Sequence, residues 1–310
     1  MNAPFKLIDA QAALGFVTSQ TAYIERQVNE TVYPDIQYPS LVPVDTSAHP
    51  WAKTVTYYSS DKFGKADWIN GNADDIPIAG TDLAKHETAI HMAGIGYGYG
   101  LEEISQAQML GINLQAADAM AARRAYEEMV DRVALYGDTA KGFYGLINAP
   151  SVTAAAATTG DWSTATPAQI LADVNNALAG QYAGTLYTGL ADTLLLPYSA
   201  FLHISTTPLN DNGTDTILSW LLTKNVYTAQ TGRPLVIRVM RGLDTAGAGN
   251  TGRMVAYRRD PNVVKLHIPM PHRFLPAYQA GPLRWEVPGI FRLGGVDVRR
   301  PKEMLYVDGI

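Results

Sequence analysis

Apolar residues recur every three or four positions through residues 102–136, which is typical of a helix with one buried face. The stripe consists of Leu110, Leu114, Ala117, Ala121, Ala125, Met129 and Val133. Gly137 and Asp138 follow as a typical C-terminal stop. At ~1.5 Å per residue the helix would be roughly 50 Å long, about twice an average helix or more. We expect a long spine whose stripe faces the body of the protein, with Leu114 and Ala121 buried.

A long β excursion is predicted for residues 51–101. Trp51–Tyr58 is rich in Val, Thr and Tyr, and a returning strand is expected from about Leu83 to Leu101. Turn signals lie between them at Gly64 and at Asn70-Gly71-Asn72. The pattern predicts an extended, polar hairpin with few apolar residues of its own, and connections of this size are usually functional.

The N-terminal region reads as an arm. Phe16–Glu30 predicts a helix, and the following segment from Tyr33 to Pro43 contains three prolines. Proline removes backbone donors and disfavours helix in the residue before it, so we expect this segment to be extended and to lie on another element.

The second half of the chain mixes helices and strands from Asp161 onward. Thr166 and Pro167 are a typical N-cap and first residue of a helix over Pro167–Ala179. The remaining predicted elements are a strand at Thr193–Pro197, helices at Tyr198–Ile204 and Thr214–Lys224, a strand at Pro234–Met240, and proline-broken strands over 253–310. The predicted class is α+β.

Composition limits the classes of protein that are possible. The 310 residues (33.6 kDa) are 47% hydrophobic and 17% charged, which excludes global disorder. With 0 Cys, disulfides, cysteine-ligated metals and cysteine nucleophiles are excluded. No apolar run approaches the ~20 residues of a membrane span and no secretory signal is recognisable, so a soluble protein without a membrane partner is expected.

The net charge of −5 is unevenly distributed. Residues 1–150 carry 10 Lys and Arg against 18 Asp and Glu, whereas residues 251–310 carry 10 against 5. The arginines of the C-terminal segment are spread among apolar strand residues. This distribution favours pairing of acidic and basic regions within or between chains over a nucleic-acid-binding surface.

Candidate chemistry is weak throughout. Gly94, Gly96, Gly98 and Gly100 alternate strictly, which is strand geometry and not the Gly-x-Gly-x-x-Gly of a dinucleotide site. Their bare face would allow another backbone to approach closely. His86 and His91 are one residue too far apart for the His-Glu-x-x-His zinc motif.

Two acidic segments have equally simple interpretations. Residues 210–215 lack the terminal Glu of a calcium loop and predict a turn before a helix; Asn72, Asp74 and Asp75 offer little cation specificity. No nucleophile elbow or Walker loop occurs. We therefore predict no catalytic residues, no cofactor, no metal and no enzymatic activity.

Six short stretches, in this order, carry a resemblance to a known family. They are Leu41-Val42-Pro43-Val44-Asp45, Asp61-Lys62-Phe63-Gly64-Lys65-Ala66, Asp74-Asp75-Ile76-Pro77, Tyr144-Gly145-Leu146-Ile147-Asn148, Leu194-Leu195-Leu196-Pro197, and Gly294-Gly295-Val296-Asp297-Val298 with Pro301 and Asp308-Gly309-Ile310. Together with the element order, they make the chain similar to the major capsid proteins of tailed bacteriophages, whose shell fold also occurs in encapsulins.

That resemblance implies an arm, a loop and two domains. They are an N-terminal arm over 1–50, an extended β-hairpin loop over 51–100, a peripheral domain with the spine helix over 101–150 and 258–290, and an axial domain over 151–257 and 291–310. It also implies pentamers and hexamers of the chain, tiling an icosahedral shell around double-stranded DNA that is enclosed without sequence-specific binding. Scaffolding, portal and decoration proteins would be further partners, assembly would occur in the host cytoplasm, and the product would be the virion.

The hairpin is the predicted contact between subunits, since a polar two-stranded ribbon is marginal in water without outside partners. The predicted contact residues are Lys62, Phe63, Lys65, Trp68, Ile69 and Ile76. Two alternatives stay open. An encapsulin-like compartment would hold a cargo protein in place of DNA, and a nucleotide-binding enzyme would use the glycine run.

Overall fold

The computed structural model describes residues 34–69, 76–110, 114–210, 213 and 215–310, and residues 36–310 form one compact unit. The predicted helix at Phe16–Glu30, the turn at 70–72, the residues Asp74 and Asp75, and half of the 210–215 segment (Asp211, Asn212 and Thr214) lie outside the described residues. The helices are α1 Tyr38–Leu41, α2 Leu101–Leu110, α3 Leu114–Tyr136, α4 Pro167–Gly184, α5 Tyr198–Thr206, α6 Ile217–Thr223 and α7 Val226–Thr231.

The strands form several small sheets and one larger one. In chain order they are β1 Val44–Asp45, β2 Thr54–Phe63, β3 Gly80–Ala89, β4 His91–Gly94, β5 Tyr97–Gly100, β6 Gly137–Asp138, β7 Phe143–Tyr144, β8 Ala154–Ala156, β9 Thr193–Leu196, β10 Val236–Val239, β11 Arg253–Tyr257, β12 Val264–His267, β13 Met270–Phe274, β14 Tyr278–Gly281, β15 Arg284–Val287, β16 Gly289–Leu293, β17 Val296–Val298 and β18 Met304–Asp308. Short 3₁₀ turns occupy Thr139–Lys141, Leu243–Thr245, Ala248–Asn250 and Pro301–Glu303.

The larger sheet has the order β10-β9-β11-β18-β8 and is covered on both sides. Side chains alternate across a strand, so Leu194 and Leu196 enter the core beneath α4, α5, α6 and α7, whereas Leu195 enters a second core. The second core lies between this sheet and α3. The short apolar strand at 193–196 and the helix that begins at Tyr198 are confirmed.

α4 begins as predicted. The backbone N–H of Thr166 donates to Gln169 Oε1 at 2.8 Å, which satisfies a donor at the helix start. The helix continues beyond the predicted end at Ala179 to Gly184.

Two three-stranded sheets, β13-β16-β4 and β14-β15-β5, hold Gly94, Gly98 and Gly100, and Gly96 lies in the short link between β4 and β5. A Cβ added to Gly94 would lie 2.7 Å from the Gly289 carbonyl oxygen, and one added to Gly96 would lie 2.3 Å from that of Val287. These glycines therefore allow neighbouring backbones to approach, which confirms the strand interpretation of the run. The predicted single strand over 83–101 is divided into β3, β4 and β5.

The predicted extended conformation of the proline-rich segment is wrong over α1. Tyr38–Leu41 forms one helical turn with Pro39 in its first turn, where a missing N–H costs nothing. The Asp131 carboxylate accepts the backbone N–H groups of Gln37 and Tyr38, both at 2.8 Å, and so supplies the acceptors that the turn needs.

The buried face predicted for the spine helix is wrong at Ala117 and Ala121, which are exposed, and right at Val133, which is buried. The buried apolar residues of α3 are Ala122, Tyr126, Val130, Val133, Ala134 and Leu135. The alanine stripe misled because alanine suits either environment, whereas the bulky Tyr126 and Val130 fix the buried face. The side chain of Leu114 and residues 111–113 lie outside the part described.

The strand pairing bears on one predicted domain boundary, the one between residues 290 and 291 that separates the peripheral from the axial domain. That boundary falls inside β16, which pairs with β4 and β13, and β17 pairs with β12. Of the strands after residue 290, β18 joins the five-stranded sheet. We propose that residues 291–298 belong with the peripheral strands; the division into arm, loop, peripheral and axial regions stays a prediction.

Candidate interaction surface

The hairpin formed by β2 and β3 is a regular antiparallel ladder. Each strand has ten residues, and the register runs from Thr54 opposite Ala89 to Phe63 opposite Gly80. Side chains alternate between the two faces of such a ribbon, so one face would be apolar if the ribbon lay on its own chain. Beyond Tyr57 on β2, however, every residue is exposed.

The two faces of the hairpin differ in chemistry. One face carries Tyr58 diagonally from Leu83, with Lys62 beyond them. On the other, Phe63 packs its ring over Gly80, and Asp61 lies directly opposite Asp82. Like charges in opposite positions destabilise a ladder. The hairpin therefore gains little from its own contacts.

All six residues predicted to contact a neighbour are exposed in this chain. Lys62 and Phe63 end β2, and the other four lie in the connecting segment, which has no regular secondary structure where it is described. Trp68 is 100% exposed, a condition that a large indole tolerates poorly in water. The structure gathers the six on the outer half of the hairpin and brings none of them to the core.

Sequence reasoning missed three further exposed apolar residues on the hairpin. They are Tyr58, Ile78 and Leu83. Strand alternation could have identified Tyr58, because adjacent residues of a strand point to opposite faces and Tyr57 occupies the other face. Leu83 could have been identified in the same way, since it lies on the same face of the ladder as Tyr58. Ile78 has no comparable signal beyond its apolar side chain.

The base of the hairpin, in contrast, is held by the body. The Tyr57 ring stacks on His86 with centroids 4.8 Å apart, and the Arg299 guanidinium lies 4.4 Å from the Tyr57 centroid. Arg299 Nε donates to Asp297 Oδ2 at 3.0 Å. Burial, and then the Asp297 charge, raise the pKa of Tyr57 above its usual range. The hairpin thus leaves the body from a fixed root.

Beneath this root, His267 lies buried between two carboxylates. Its Nε2 is 3.3 Å from Asp297 Oδ2, and its Nδ1 is 3.7 Å from Asp45 Oδ2. Lys265 also binds Asp45. Burial raises the pKa of both carboxyl groups, but hydrogen bonds from Lys265 to Asp45, and from His267 and Arg299 to Asp297, outweigh burial and hold both pKa values below the usual range. The cluster ties β1 to β12 and β17.

A second attachment holds the segment before β1 to the spine helix. Asp131, buried on α3, accepts from Arg241 and from the two backbone N–H groups at the start of α1. Tyr38 Oη donates to Glu127 Oε2 at 2.8 Å, and Tyr257 Oη donates to the Leu41 carbonyl oxygen at 2.8 Å. Residues 37–45 are therefore part of the folded body.

The histidines of the zinc-like motif have separate surroundings. His86 contacts Tyr57 and Ser59 on the hairpin, whereas His91 packs against Phe143. In the part of the chain that the structure describes, no group of three or more His, Asp or Glu side chains is placed to hold a metal ion. Over the same residues, no helix has the length and apolar character needed to cross a membrane.

The fold has clear structural relatives among shell proteins. It is similar to the capsid of Myoviridae phage XM1, with a TM-score of 0.81 at 16% identity, covering 94% of this chain and 98% of the other. A structure from Mycobacterium phage Bobi gives 0.58 at 12% identity, covering 94% and 96%. A virus-like particle from Pyrococcus furiosus gives 0.53 at 11% identity, covering 87% and 91%. These likenesses define the class as the phage capsid fold.

The sequence itself gives the family. The profile of the major capsid protein family matches residues 64–310, and the chain belongs to that family. A search of curated protein sequences gives no match. The chain is a structural protein of a capsid shell, it self-assembles into multimers, and its place is the capsid of the virion, which confirms the resemblance stated from sequence.

Proposed function

We propose that the protein assembles as pentamers and hexamers into an icosahedral shell around double-stranded DNA, with its hairpin lying on an adjacent subunit. The observation that carries this proposal is the hairpin itself. A ladder of ten residue pairs leaves the body from a rigid root and exposes apolar side chains along its outer half. Such a ribbon is marginal alone, so a partner must cover it.

The contact residues on the hairpin are Lys62, Phe63, Lys65, Trp68, Ile69 and Ile76. Trp68 is the expected anchor, because a fully exposed indole gains most from entering a pocket on the neighbour. The lysines beside it suit an acidic surface and would fix the register of the contact.

The remaining partners belong to the same proposal. Scaffolding, portal and decoration proteins would bind the assembled shell or its precursor, assembly would take place in the host cytoplasm, and the DNA would be enclosed without sequence-specific contacts. The shell role needs no catalytic residue.

The test separates folding from assembly. Trp68→Ala, and replacement of residues 62–76 by a short Gly/Ser turn, should leave a soluble subunit with near-normal circular dichroism but few closed particles in electron micrographs. Trp68→Phe is the matched control, since it keeps an aromatic anchor, and it should assemble. Unfolded subunits, or intact shells at normal yield from both changes, would refute the role of the hairpin.

The content of the particles distinguishes a capsid from the encapsulin-like compartment. Particles from an infected or expressing host that hold a cargo protein and no DNA would favour the compartment. Particles that hold DNA support the capsid.

A further inference from the structure

The five-stranded sheet carries a protruding apolar turn at one end. Leu186 and Tyr187, which follow α4, both adopt left-handed backbone conformations with φ of 53° and 61°. Leu186 is 80% exposed. Two adjacent L residues rarely adopt this conformation, and such outliers cluster at functional positions.

Buried polar groups hold this turn in place. Gln181 Nε2 donates to the Gly189 carbonyl oxygen at 2.9 Å, and Thr185 Oγ1 donates to the Tyr182 carbonyl oxygen at 2.8 Å. The Tyr187 ring packs edge-on against Tyr182 with centroids 5.1 Å apart. The turn therefore holds the side chains of Leu186 and Tyr187 rigidly in exposed positions.

Basic side chains and a cavity adjoin the turn. The 3₁₀ turn at Pro301–Glu303 borders an open cavity of about 380 Å³ that Leu186 also lines. Arg300 and Lys302 are exposed there, while the Glu303 side chain is buried and bound by Arg258 and Arg300. We call Leu186, Tyr187, Arg300 and Lys302 the basic patch.

A second exposed apolar patch lies on α5, and an acidic side chain adjoins it. Tyr198 and Leu202 are one turn apart on the exposed face of that helix. Ser199 Oγ donates to Asp244 Oδ1 at 2.9 Å, which places an exposed carboxylate beside them. We call Tyr198, Leu202 and Asp244 the acidic patch.

The topology of the sheet places the two patches at its opposite ends. The basic patch precedes β9 and β18, which are parallel because each is antiparallel to β11. The acidic patch follows β9 and β10, which are also parallel. At ~3.3 Å per residue, the four residues of β9 separate the ends by roughly 13 Å of strand. The patches cannot cover each other within one chain.

We infer that the acidic patch of one copy of this chain packs against the basic patch and cavity of the next. Complementary patches at opposite ends of one domain form a head-to-tail contact, and head-to-tail contacts that close produce rings. Apolar centres with opposite charges beside them also favour one orientation of the two copies. The inference rests on the proposed assembly into pentamers and hexamers and names a second surface, separate from the hairpin, that forms them.

Cysteine cross-linking tests the contact cleanly, because the chain contains 0 Cys. Assembled Tyr187→Cys/Tyr198→Cys protein, treated with a short thiol-specific bifunctional reagent, should give a ladder of covalent dimers, trimers and larger rings on denaturing gels. Each single variant should give none. Shells that yield no ladder, or single variants that yield dimers, would overturn the head-to-tail contact.

A charge swap keeps the inference testable where the cysteine variants do not assemble. Asp244→Lys and Lys302→Asp should each lower the particle yield at least about fivefold, and the double variant should recover to within about twofold of wild type. Equal yields, or no recovery, would contradict the contact. Wild-type protein that stays monomeric would refute the proposed function itself, whereas wild-type shells without cross-links or rescue refute this contact alone.

Discussion

The hairpin and the five-stranded sheet are built from the same backbone hydrogen bonds and differ in almost everything else. In the sheet, Leu194, Leu195 and Leu196 alternate between two cores and are fully buried. In the hairpin, Tyr58 and Leu83 lie on one face of a ladder of ten pairs and are largely exposed. Strand pairing alone therefore does not indicate which region is stable in the single subunit.

The difference lies in where each region finds its apolar partners. Burying a leucine side chain contributes about 2 kcal/mol, which the sheet obtains from its own chain. The hairpin obtains that contribution only when another molecule covers it. The subunit thus has one part that is stable by itself, the sheet, and one part that becomes stable only on assembly, the hairpin. Mutations in the two parts should therefore have different effects.

The sharpest contrast is expected from introducing a charge into each region. Leu195→Asp would bury an unpaired carboxylate in the core and should abolish folding, because that cost alone is several kcal/mol. Leu83→Asp should leave a soluble subunit with native circular dichroism. Soluble yield and thermal unfolding measure both. A folded Leu195→Asp subunit would show that the sheet is not the stable part.

The next largest effect should come from the attachment at Asp131. Asp131→Ala leaves the Arg241 guanidinium and two backbone N–H groups without their acceptor, so the free energy of unfolding should fall by about 3 kcal/mol in denaturant titrations. The matched control is Glu128→Ala, which removes an exposed ion pair with Arg124 on the same helix and should cost less than about 0.5 kcal/mol. Equal losses would mean that residues 37–45 are not held by this carboxylate.

A smaller effect should distinguish two glycines of the alternating run, Gly96 and Gly100. Gly96→Ala places a methyl group 2.3 Å from the Val287 carbonyl oxygen and should cost about 1–3 kcal/mol, since the three nearest atoms all belong to the backbone and cannot rotate away. At Gly100 the nearest atoms are 3.8 Å away, so Gly100→Ala should cost less than about 1 kcal/mol. Similar unfolding midpoints for the two variants would contradict the close approach at Gly96.

The sequence predicted elements well where a local pattern has only one structural solution. The apolar strand at Thr193–Leu196, the capped start of α4 and the alternating glycines each satisfy a local rule that tertiary packing did not override. The hairpin was also predicted, because the Val, Thr and Tyr content of its first strand and the turn residues after it indicate an extended ribbon.

The predictions failed where contacts between residues far apart in the chain determine the structure. The turn at Tyr38–Leu41 depends on Asp131, more than ninety residues away in the chain, and no local signal in a proline-rich segment reports it. The buried face of α3 depends on which side chains meet the sheet, and Tyr126 marks that face better than the alanines do. The contact residues of the hairpin could be proposed from its polarity, but their partners lie on another molecule.

The smallest predicted effect concerns acid stability at the root of the hairpin. Burial alone would raise the pKa of Asp297, but hydrogen bonds from His267 and Arg299 leave it below its ordinary value of 3.8. The unfolded chain therefore binds more protons than the native one as the pH falls below about 4, and stability is lost in that direction.

Asp297→Asn removes this dependence. The difference in unfolding free energy between wild type and Asp297→Asn should be constant from pH 7 to pH 5 and shrink below pH 4. Asp45, on the other side of His267, stays unchanged in both proteins, so its own acid sensitivity contributes mainly to the part they share. A difference that grows on acidification would mean that the carboxylate is destabilising where it lies.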